Sequence, residues 1–235
     1  MNIIITGASK GIGKAIAEKF ASDKARHTIF LCSRNEKDLE VLAKELQENF
    51  EVGNVHYKAS DLSNKEEATA FAGWALSLVD RVDVLVNNVG TFIQGNISDE
   101  PDGALEKMLA VNLYSAYHTT RALLPAMKKA KSGHIFTICS IASLHAYPNG
   151  GAYSISKFAL YGFTKNLREE LKPYGVKVTA VLPGAVYTDS WKGSGVAEER
   201  IMEPDDIAKV IYSAAHLSPQ ATIEEIVIRP QLGDL

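Results

Sequence analysis

The chain has 235 residues, a formal net charge of −3 and two cysteines; 46% of its residues are hydrophobic and 23% are charged. This composition is ordinary for a globular protein, and the length allows one large domain or two small ones. The slight acidic balance argues against a general nucleic-acid-binding protein, and two cysteines are too few for a disulfide framework. No apolar stretch approaches the ~20 residues that span a bilayer, and no signal peptide is recognisable, so we expect a cytoplasmic protein without membrane contacts.

Short apolar runs alternate with longer amphipathic segments along the whole chain. The runs are rich in Ile and Val and lack polar alternation, which predicts strands buried on both faces over Asn2–Thr6, Thr28–Ser33, Val55–Ala59, Val84–Asn87, His134–Ser140, Lys177–Leu182 and Glu225–Arg229. Helices are predicted over Gly11–Ser22, Glu36–Asn49, Lys65–Val79, Gly103–Lys129, Ala152–Lys172 and Pro204–His216. This alternation predicts an α/β fold with a doubly wound, Rossmann-type parallel sheet of about seven strands and helices on both faces. We expect residues 1–235 to form a single domain.

A glycine-rich turn, Thr6–Gly13, follows the first predicted strand and opens the first predicted helix. Glycines permit a tight turn and a close approach of the backbone to a pyrophosphate, while a helix N-terminus offers free N–H groups and partial positive charge. Many strand-to-helix turns use glycine, but this position favours a dinucleotide site. The predicted cofactor contacts in the turn are Gly7, Ser9, Lys10, Gly11, Ile12 and Gly13.

The end of the second predicted strand indicates which dinucleotide binds. NAD-binding folds usually place an acid there for the ribose 2′-hydroxyl, whereas an arginine accommodates the 2′-phosphate of NADP. This chain has Ser33 and Arg34 at that position and no acid, and Lys10 adds a second cation nearby. Either cation alone would be an ordinary solvated side chain, but together they favour NADPH.

Two further turns follow the third and fourth predicted strands. Asp61 and Leu62 could contact the adenine end of a dinucleotide, although the Asp61 carboxylate could equally cap the next helix. Asn88 and Gly90 belong to a sharp turn at the carboxyl edge of the sheet, where turn geometry alone could explain Asn and Gly.

Three polar residues point to carbonyl chemistry. Tyr153 and Lys157 lie four positions apart in a predicted helix, so both side chains share one face, and Ser140 ends the fifth predicted strand. Reduction of a carbonyl needs a proton for the forming alkoxide, and a nearby ammonium group makes a phenol a better proton donor at neutral pH. A serine hydroxyl can hold the carbonyl oxygen as negative charge develops. A Tyr–Lys pair at this spacing is usually ordinary helix surface, so the prediction depends on all three meeting at the dinucleotide edge.

Taken together, these motifs resemble the short-chain dehydrogenase/reductase family in order and spacing over essentially the whole chain. The residues that carry the resemblance are the turn Thr6–Gly13, Asn87–Gly90, Asn112, Ser140, Tyr153-x-x-x-Lys157 and Pro183-Gly184. One departure is Val89, which stands where the family usually has alanine and should tighten packing beside the cofactor.

The resemblance implies a role for each matching residue. Tyr153 would be the general acid, Lys157 would assist it and bind the nicotinamide ribose, Ser140 would orient the carbonyl, and Asn112 would support a water-linked proton relay. Asp61 would contact adenine and Asn88 the sugar region, and the nicotinamide would be lined by Pro183, Gly184, Val186 and Thr188. No metal ligands are predicted.

Two segments resemble those of bacterial sepiapterin reductases: Gly184–Thr188 and the carboxyl-terminal residues from Glu224 to Leu235. That resemblance implies NADPH-dependent reduction of a small carbonyl compound such as sepiapterin or a similar diketone. Asp234 could bind the edge of an aminopyrimidine ring, or it could be a disordered tail residue. Trp191 could stack on a flat substrate, or it could pack on apolar neighbours.

Two other functions remain open from the sequence. One is a 3-oxoacyl-[acyl-carrier-protein] reductase, which would need a basic patch for an acidic carrier; here Lys192 and Arg200 lie among Glu198, Glu199 and Glu203. The other is a non-catalytic NADPH sensor, although such a protein would not need the complete Tyr153, Lys157 and Ser140 set.

Two features concern access and assembly. Residues 186–203 lack periodicity and follow a strand's carboxyl end, which favours a substrate lid over a plain surface connection. The predicted helices Gly103–Lys129 and Ala152–Lys172 carry apolar residues beyond one stripe, so we expect a homodimer or homotetramer through them.

Overall fold

The computed structural model describes residues 1–191 and 195–235 and contains one seven-stranded sheet. The strands are β1 (Asn2–Thr6), β2 (Thr28–Ser33), β3 (Val55–Ala59), β4 (Val84–Asn87), β5 (His134–Ile138), β6 (Lys177–Pro183) and β7 (Glu225–Ile228). The helices are α1 (Gly11–Ala21), α2 (Glu36–Asn49), α3 (Lys65–Leu78), α4 (Ala104–Met108), α5 (Ser115–Ala130), α6 (Gly151–Leu171) and α7 (Pro204–Ala215). The predicted α/β class is confirmed.

All neighbouring strands are parallel, in the order β3-β2-β1-β4-β5-β6-β7. The chain moves outward from β1 in one direction and then returns to continue outward from β4 in the other. A doubly wound sheet with such a reversal opens a crevice at the carboxyl ends of the strands on either side of it. The fold therefore predicts a ligand cleft beyond the carboxyl ends of β1 and β4.

Helices cover both faces of the sheet. Ile16 and Phe20 of α1, Leu39 of α2 and Ile207 of α7 belong to the apolar cluster on one face and are fully buried. On the other face, α3, α5 and α6 contribute Phe71, Leu123 and Leu171, among others. The two faces together bury the central strands, which explains why these strands have no polar alternation.

The edge strands differ from the sequence prediction. Residues of β3 are mostly half-buried and those of β7 alternate between exposed and half-buried, whereas the sequence predicts burial on both faces for both strands. The reason is topological, because an edge strand has one neighbouring strand and its covering helix leaves part of it open. An Ile/Val-rich run does not by itself distinguish an edge strand from a central one.

Two element boundaries near the carboxyl edge also differ. The strand predicted over His134–Ser140 ends at Ile138, and Ser140 instead precedes a short 3₁₀ turn over Ile141–Ser143. The helix predicted over Gly103–Lys129 is interrupted by a π-helical segment, Leu109–Tyr114. Apolar periodicity over a long segment does not by itself distinguish a single π-helical turn from the α-helix on either side of it.

The segment 186–203 is anchored at both ends. Val186 pairs with Met202 in an isolated bridge, and both side chains are buried. Two short 3₁₀ turns, Asp189–Trp191 and Glu198–Arg200, lie between these anchors. The predicted lid includes residues 192–194, among them Lys192, which lie outside the described residues.

Among the described residues, no helix combines the length and apolar character that a membrane span requires.

Candidate active site

The glycine turn leads from β1 into α1 at the carboxyl edge. Gly7 has φ +62°, a left-handed conformation that favours glycine. A Cβ atom on Gly13 would lie 2.3 Å from the carbonyl oxygen of Gly7, so the helix can pack this closely on the turn only without a side chain. The side chain of Lys10, immediately before α1, makes no capping hydrogen bond. The turn thus presents backbone N–H groups at a helix N-terminus, which suits a pyrophosphate.

Asn88 braces this turn from the neighbouring strand. Its Nδ2 atom donates to the carbonyl oxygens of Thr6 (3.1 Å) and Gly7 (2.9 Å), and its backbone N–H donates to Thr6 Oγ1 (3.0 Å). The sequence predicted that Asn88 contacts the cofactor directly. Its side-chain Nδ2 atom here holds the glycine turn in shape, and Asn88 also lines the cleft, so its contact with the cofactor stays a prediction.

The predicted 2′-phosphate residues occupy two different settings. Arg34 is exposed at the carboxyl end of β2, next to Ser33, whose hydroxyl donates to the carbonyl oxygen of Asn35 (3.3 Å). Lys10 Nζ instead lies 2.5 Å from a carboxylate oxygen of Asp189, in the predicted lid. The ion pair is exposed on both sides, so it is screened by solvent and exchangeable.

The Asp61–Leu62 turn follows β3. Asp61 Oδ1 accepts hydrogen bonds from the backbone N–H (3.0 Å) and hydroxyl (2.6 Å) of Ser63. The cap of α3 is Asn64, whose side chain accepts from the backbone N–H of Glu67, so the alternative that Asp61 caps this helix is wrong. The Leu62 side chain is buried in the core, and only its backbone can face a ligand.

Three of the four predicted catalytic residues, Ser140, Tyr153 and Lys157, line one cleft of about 840 Å³ at the carboxyl edge of the sheet, and Asn112 lies outside its lining. Lys157 is almost fully buried, and its Nζ atom lies 5.8 Å from the centroid of the Tyr153 ring and donates to the carbonyl oxygen of Ile138 (2.9 Å). Ser140 Oγ accepts from the backbone N–H of Ala142 (3.1 Å). This bond engages one of the two lone pairs of the hydroxyl oxygen, and the hydroxyl proton can still be donated.

Asn112 is fully buried in the π-helical segment behind this group. Its Oδ1 accepts from the backbone N–H of Thr91 (2.7 Å), and its Nδ2 atom lies within hydrogen-bond distance of the Thr91 carbonyl oxygen (3.0 Å) and of Ser156 Oγ (2.9 Å). A Cβ on Gly90 would be 3.5 Å from Asn112 Oδ1 and 3.7 Å from Lys157 Nζ, so these two groups flank the same turn. The side-chain amide fastens the start of the loop after β4 to the helix that carries Tyr153.

Comparisons with known proteins agree with this arrangement. A family model described as short chain dehydrogenase matches residues 1–199. The chain belongs to the short-chain dehydrogenase family.

Relatives of this short-chain dehydrogenase include a sepiapterin reductase from Chlorobaculum tepidum, 34% identical over 99% of this chain and 97% of that protein. A metagenomic short-chain oxidoreductase in complex with NADP is 35% identical and superimposes with a TM-score of 0.84 over 98% of this chain and 97% of its own. An alcohol dehydrogenase from Thermococcus sibiricus, complexed with 5-hydroxy-NADP, is 29% identical with a TM-score of 0.89 over 98% and 96%. The predicted oxidoreductase class is confirmed.

The outer part of the cleft in this short-chain dehydrogenase is aromatic. Phe92 packs edge-on against Tyr153 with ring centroids 4.8 Å apart, and Tyr147 and Trp191 line the same cleft. Burial, with Tyr153 nearby, raises the pKa of Tyr147 to about 12, so this phenol stays neutral. The contribution of Phe92 and Tyr147 was missed from the sequence, because both lie in loops without a periodic pattern.

The carboxyl terminus folds back to form one wall. Asp234 lies in the cleft lining as predicted, but it is ion-paired with Arg229, which the sequence did not indicate as a site residue. Arg200 donates to the backbone carbonyl oxygens of Gly233 (3.0 Å) and Asp234 (3.1 Å) and holds the tail against the segment 186–203. The sequence does show opposite charges at Arg229 and Asp234. Their spacing alone, however, does not predict that the two side chains pair across a turn.

The remaining predicted residues divide by position. The main cleft is lined by Ile12, Asn88, Gly90, Ser140, Tyr153, Lys157, Pro183, Gly184, Val186, Thr188, Trp191 and Asp234. The other predicted cofactor residues lie outside its lining, along the glycine turn and the ends of β2 and β3: Gly7, Ser9, Lys10, Gly11, Gly13, Ser33, Arg34, Asp61 and Leu62. Their individual roles stay predictions.

Proposed function

We propose that this protein reduces a small carbonyl compound to an alcohol with NADPH, and that Tyr153 donates the proton. The observation that carries the proposal is the convergence of Ser140, Tyr153 and Lys157 on one cleft that also meets the glycine turn. The related metagenomic oxidoreductase is in complex with NADP, and the Thermococcus alcohol dehydrogenase is complexed with 5-hydroxy-NADP. Reduced nicotinamide supplies the hydride when it is bound.

The chain's own residues would handle the proton and the carbonyl oxygen. The Ser140 hydroxyl, which lines the cleft together with Tyr153, would donate to the carbonyl oxygen and hold it beside Tyr153. As negative charge develops on that oxygen, Tyr153 transfers its phenolic proton, and the buried ammonium of Lys157 stabilises the phenolate left behind. Asn112 would position Lys157 and the loop at Thr91 and would support reprotonation through water.

The cofactor would lie along the glycine turn, with its pyrophosphate at the N-terminus of α1. Arg34 is exposed just beyond β2, where it would meet a 2′-phosphate. We base the preference for NADPH over NADH on this residue. Lys10 would contribute after its exposed ion pair with Asp189 exchanges for the phosphate.

Sepiapterin or a similar diketone is the proposed substrate. Phe92, Tyr147 and Trp191 give the cleft flat apolar walls that suit a planar ring. The Asp234 carboxylate could accept hydrogen bonds from an aminopyrimidine edge, with Arg229 holding it in place. The resemblance to the Chlorobaculum sepiapterin reductase, which covers almost the full chain, supports this substrate class.

Measuring NADPH oxidation with a panel of carbonyl compounds tests the proposal. Turnover of sepiapterin or of small diketones supports it. Preferred turnover of acetoacetyl thioesters would identify a 3-oxoacyl reductase instead. NADPH binding without any turnover would leave the sensor function.

We further propose that residues 1–235 act as one domain, with 186–203 as its lid, and that the protein self-associates through α5 and α6. Tyr117 on α5 and Ile155 and Phe158 on α6 are large apolar side chains left exposed on these helices. Light scattering after size-exclusion chromatography distinguishes a monomer from the proposed dimer or tetramer.

A further inference from the structure

A second polar cluster lies at the edge of the sheet opposite the cleft. Asp23 is in the turn after α1, His27 immediately precedes β2, and His216 immediately follows α7. Because all strands are parallel, these positions are at the amino ends of the strands, whereas Ser140 and Tyr153 lie beyond the carboxyl ends. The cluster is therefore separate from the proposed catalytic group.

The three side chains bring potential metal ligands together. Asp23 Oδ2 lies 3.0 Å from His27 Nε2 and 3.5 Å from His216 Nε2, and all three ligand atoms lie within 4.8 Å of one another. Zn²⁺ binds imidazole nitrogen and carboxylate oxygen at about 2.0–2.2 Å. Ligand atoms around one such ion are about 3–4 Å apart. The two separations from Asp23 already fit this range, and the two imidazole nitrogens, which lie within 4.8 Å of each other, would move together by up to about 1 Å to complete the coordination.

The orientation of the His216 ring favours a cation between these atoms. His216 Nδ1 lies 2.8 Å from the backbone carbonyl oxygen of Tyr212, an acceptor, so Nδ1 carries the ring proton. A neutral His216 then directs the lone pair of Nε2 toward Asp23 Oδ2, and two acceptors face each other. A metal ion bound by both atoms removes this conflict, and a backbone carbonyl on the other ring nitrogen is the usual support for a ligating histidine.

The other two ligands are also held from behind. His27 is 2% exposed, and its Nδ1 is 3.1 Å from the Met1 amino nitrogen, so Nε2 is turned toward Asp23. The backbone N–H of Ala25 donates to Asp23 Oδ1 (3.0 Å), and the Tyr212 hydroxyl donates to Asp23 Oδ2 (2.7 Å). These contacts orient the carboxylate so that Oδ2 faces both imidazoles.

We propose that Asp23, His27 and His216 bind a divalent transition-metal ion, with Zn²⁺ as the best match to two imidazole nitrogens and one carboxylate oxygen. On binding, His27 Nε2 gives up the proton that it donates to Asp23, and the Met1 ammonium passes one proton to His27 Nδ1 and then accepts from it as a neutral amine, so His27 binds as a neutral imidazole and one proton is released per ion. Water completes the coordination from the exposed side of His216. The ion would join the α1–β2 turn to the end of α7 and stabilise the fold. The sequence did not reveal the site, because His216 lies at the far end of the chain from the other two ligands.

The test is Zn²⁺ binding to the metal-free full-length protein. We expect one high-affinity Zn²⁺ per chain by isothermal titration calorimetry. A hundredfold excess of free Zn²⁺ over Kd should raise the melting temperature by about 5–10 °C. His216→Ala should abolish both effects, because it removes one of the three ligands. His216 is exposed, so its replacement should leave the core intact. Asp23→Asn should weaken binding, and His118→Ala, which removes a histidine from α5, should leave binding unchanged.

Co²⁺ adds a spectroscopic readout. The wild-type protein should develop the visible absorption of a low-symmetry Co²⁺ site, and His216→Ala should not, while NADPH binding by both proteins stays equal. The proposal is overturned if the wild type binds no Zn²⁺ at one per chain, or if His216→Ala and His118→Ala bind it equally. The cluster would then be a hydrogen-bond network centred on Asp23, His27 and Tyr212.

Discussion

The carboxylate of Glu100 accepts a hydrogen bond from the backbone N–H of Ala152 (2.7 Å), at the N-terminus of the helix that carries Tyr153. A Cβ on Gly151 would collide with this carboxylate, and a Cβ on Gly95 would lie 2.7 Å from Glu100 Cγ, so two glycines make the approach possible. The loop after β4, which places Phe92 against Tyr153, is thereby tied to the first turn of α6. Negative charge at a helix N-terminus is also favourable.

Glu100→Ala should lower kcat about 2- to 30-fold, because losing a helix N-terminal acceptor costs about 0.5–2 kcal/mol and loosens the start of α6 around Tyr153. NADPH affinity, measured by fluorescence titration, should stay at the wild-type value. Glu100→Gln keeps an acceptor oxygen and should restore most of kcat, and Asp99→Ala serves as the control for a neighbouring acid. Equal kcat in Glu100→Ala and the wild type would contradict a positioning role.

Tyr153→Phe should lower kcat by about 10²–10⁴, the range of a general acid, while binding NADPH almost normally. The control is Tyr161→Phe on the same helix, whose hydroxyl bonds Glu225 outside the cleft. Steady-state kinetics and a binding titration separate the two effects. Retained reduction in Tyr153→Phe would remove this residue from the proton-donor role.

Arg34→Glu should weaken NADPH binding by about 10- to 100-fold, the equivalent of one charge-assisted hydrogen bond of about 1.5–3 kcal/mol, and NADH binding much less. Lys44→Glu reverses an exposed charge within α2 and should leave the NADPH-to-NADH ratio unchanged. Dissociation constants for both cofactors provide the comparison. If both cofactors lose affinity equally, Arg34 does not face the 2′-phosphate.

Asp234→Asn should lower kcat/KM for sepiapterin by about 10- to 100-fold, because a carboxylate that accepts from an aminopyrimidine edge is replaced by a neutral amide. A simple aliphatic diketone lacks that edge and provides the matched control in the same variant. Its kcat/KM should change little. A similar loss for both substrates would mean that Asp234 acts by holding the cleft wall together with Arg229.

His134 makes the folding stability sensitive to acid. Burial lowers its pKa from 6.5 to about 3, and its Nδ1 has no hydrogen-bond partner among the described residues. The unfolded chain takes up a proton below pH 6.5 and the folded chain does not, so stability that is present above pH 6.5 is lost progressively as pH falls toward 3.

At pH 5 this loss amounts to about 2 kcal/mol, from 1.5 pH units at about 1.36 kcal/mol each. Urea denaturation at pH 7.5 and pH 5 measures it. His134→Gln should be less stable at pH 7.5 but should lose about 2 kcal/mol less than the wild type between the two pH values. An identical pH dependence in both proteins would show that His134 is not the responsible group.

Much of the fold could be predicted because it depends on local pattern. Buried parallel strands require continuous apolar runs, so β1 and β2 were predicted with the bounds observed, and α2 was predicted over Glu36–Asn49 as found. The glycine turn was also recognisable, since its constraints act between neighbouring residues such as Gly7 and Gly13. The family followed from the joint spacing of these motifs with Tyr153 and Lys157.

Contacts between distant segments could not be predicted in the same way. Several features depend on which segments meet after folding. They are the exposed face of β7, the π segment around Asn112, the Arg229–Asp234 ion pair and the hydrogen bond between Glu100 and Ala152. The amino-acid order determines hydrophobic period and turn chemistry, because these act over a few residues. Side-chain pairing across the cleft is decided by the tertiary structure, because it depends on distances that no spacing along the chain encodes.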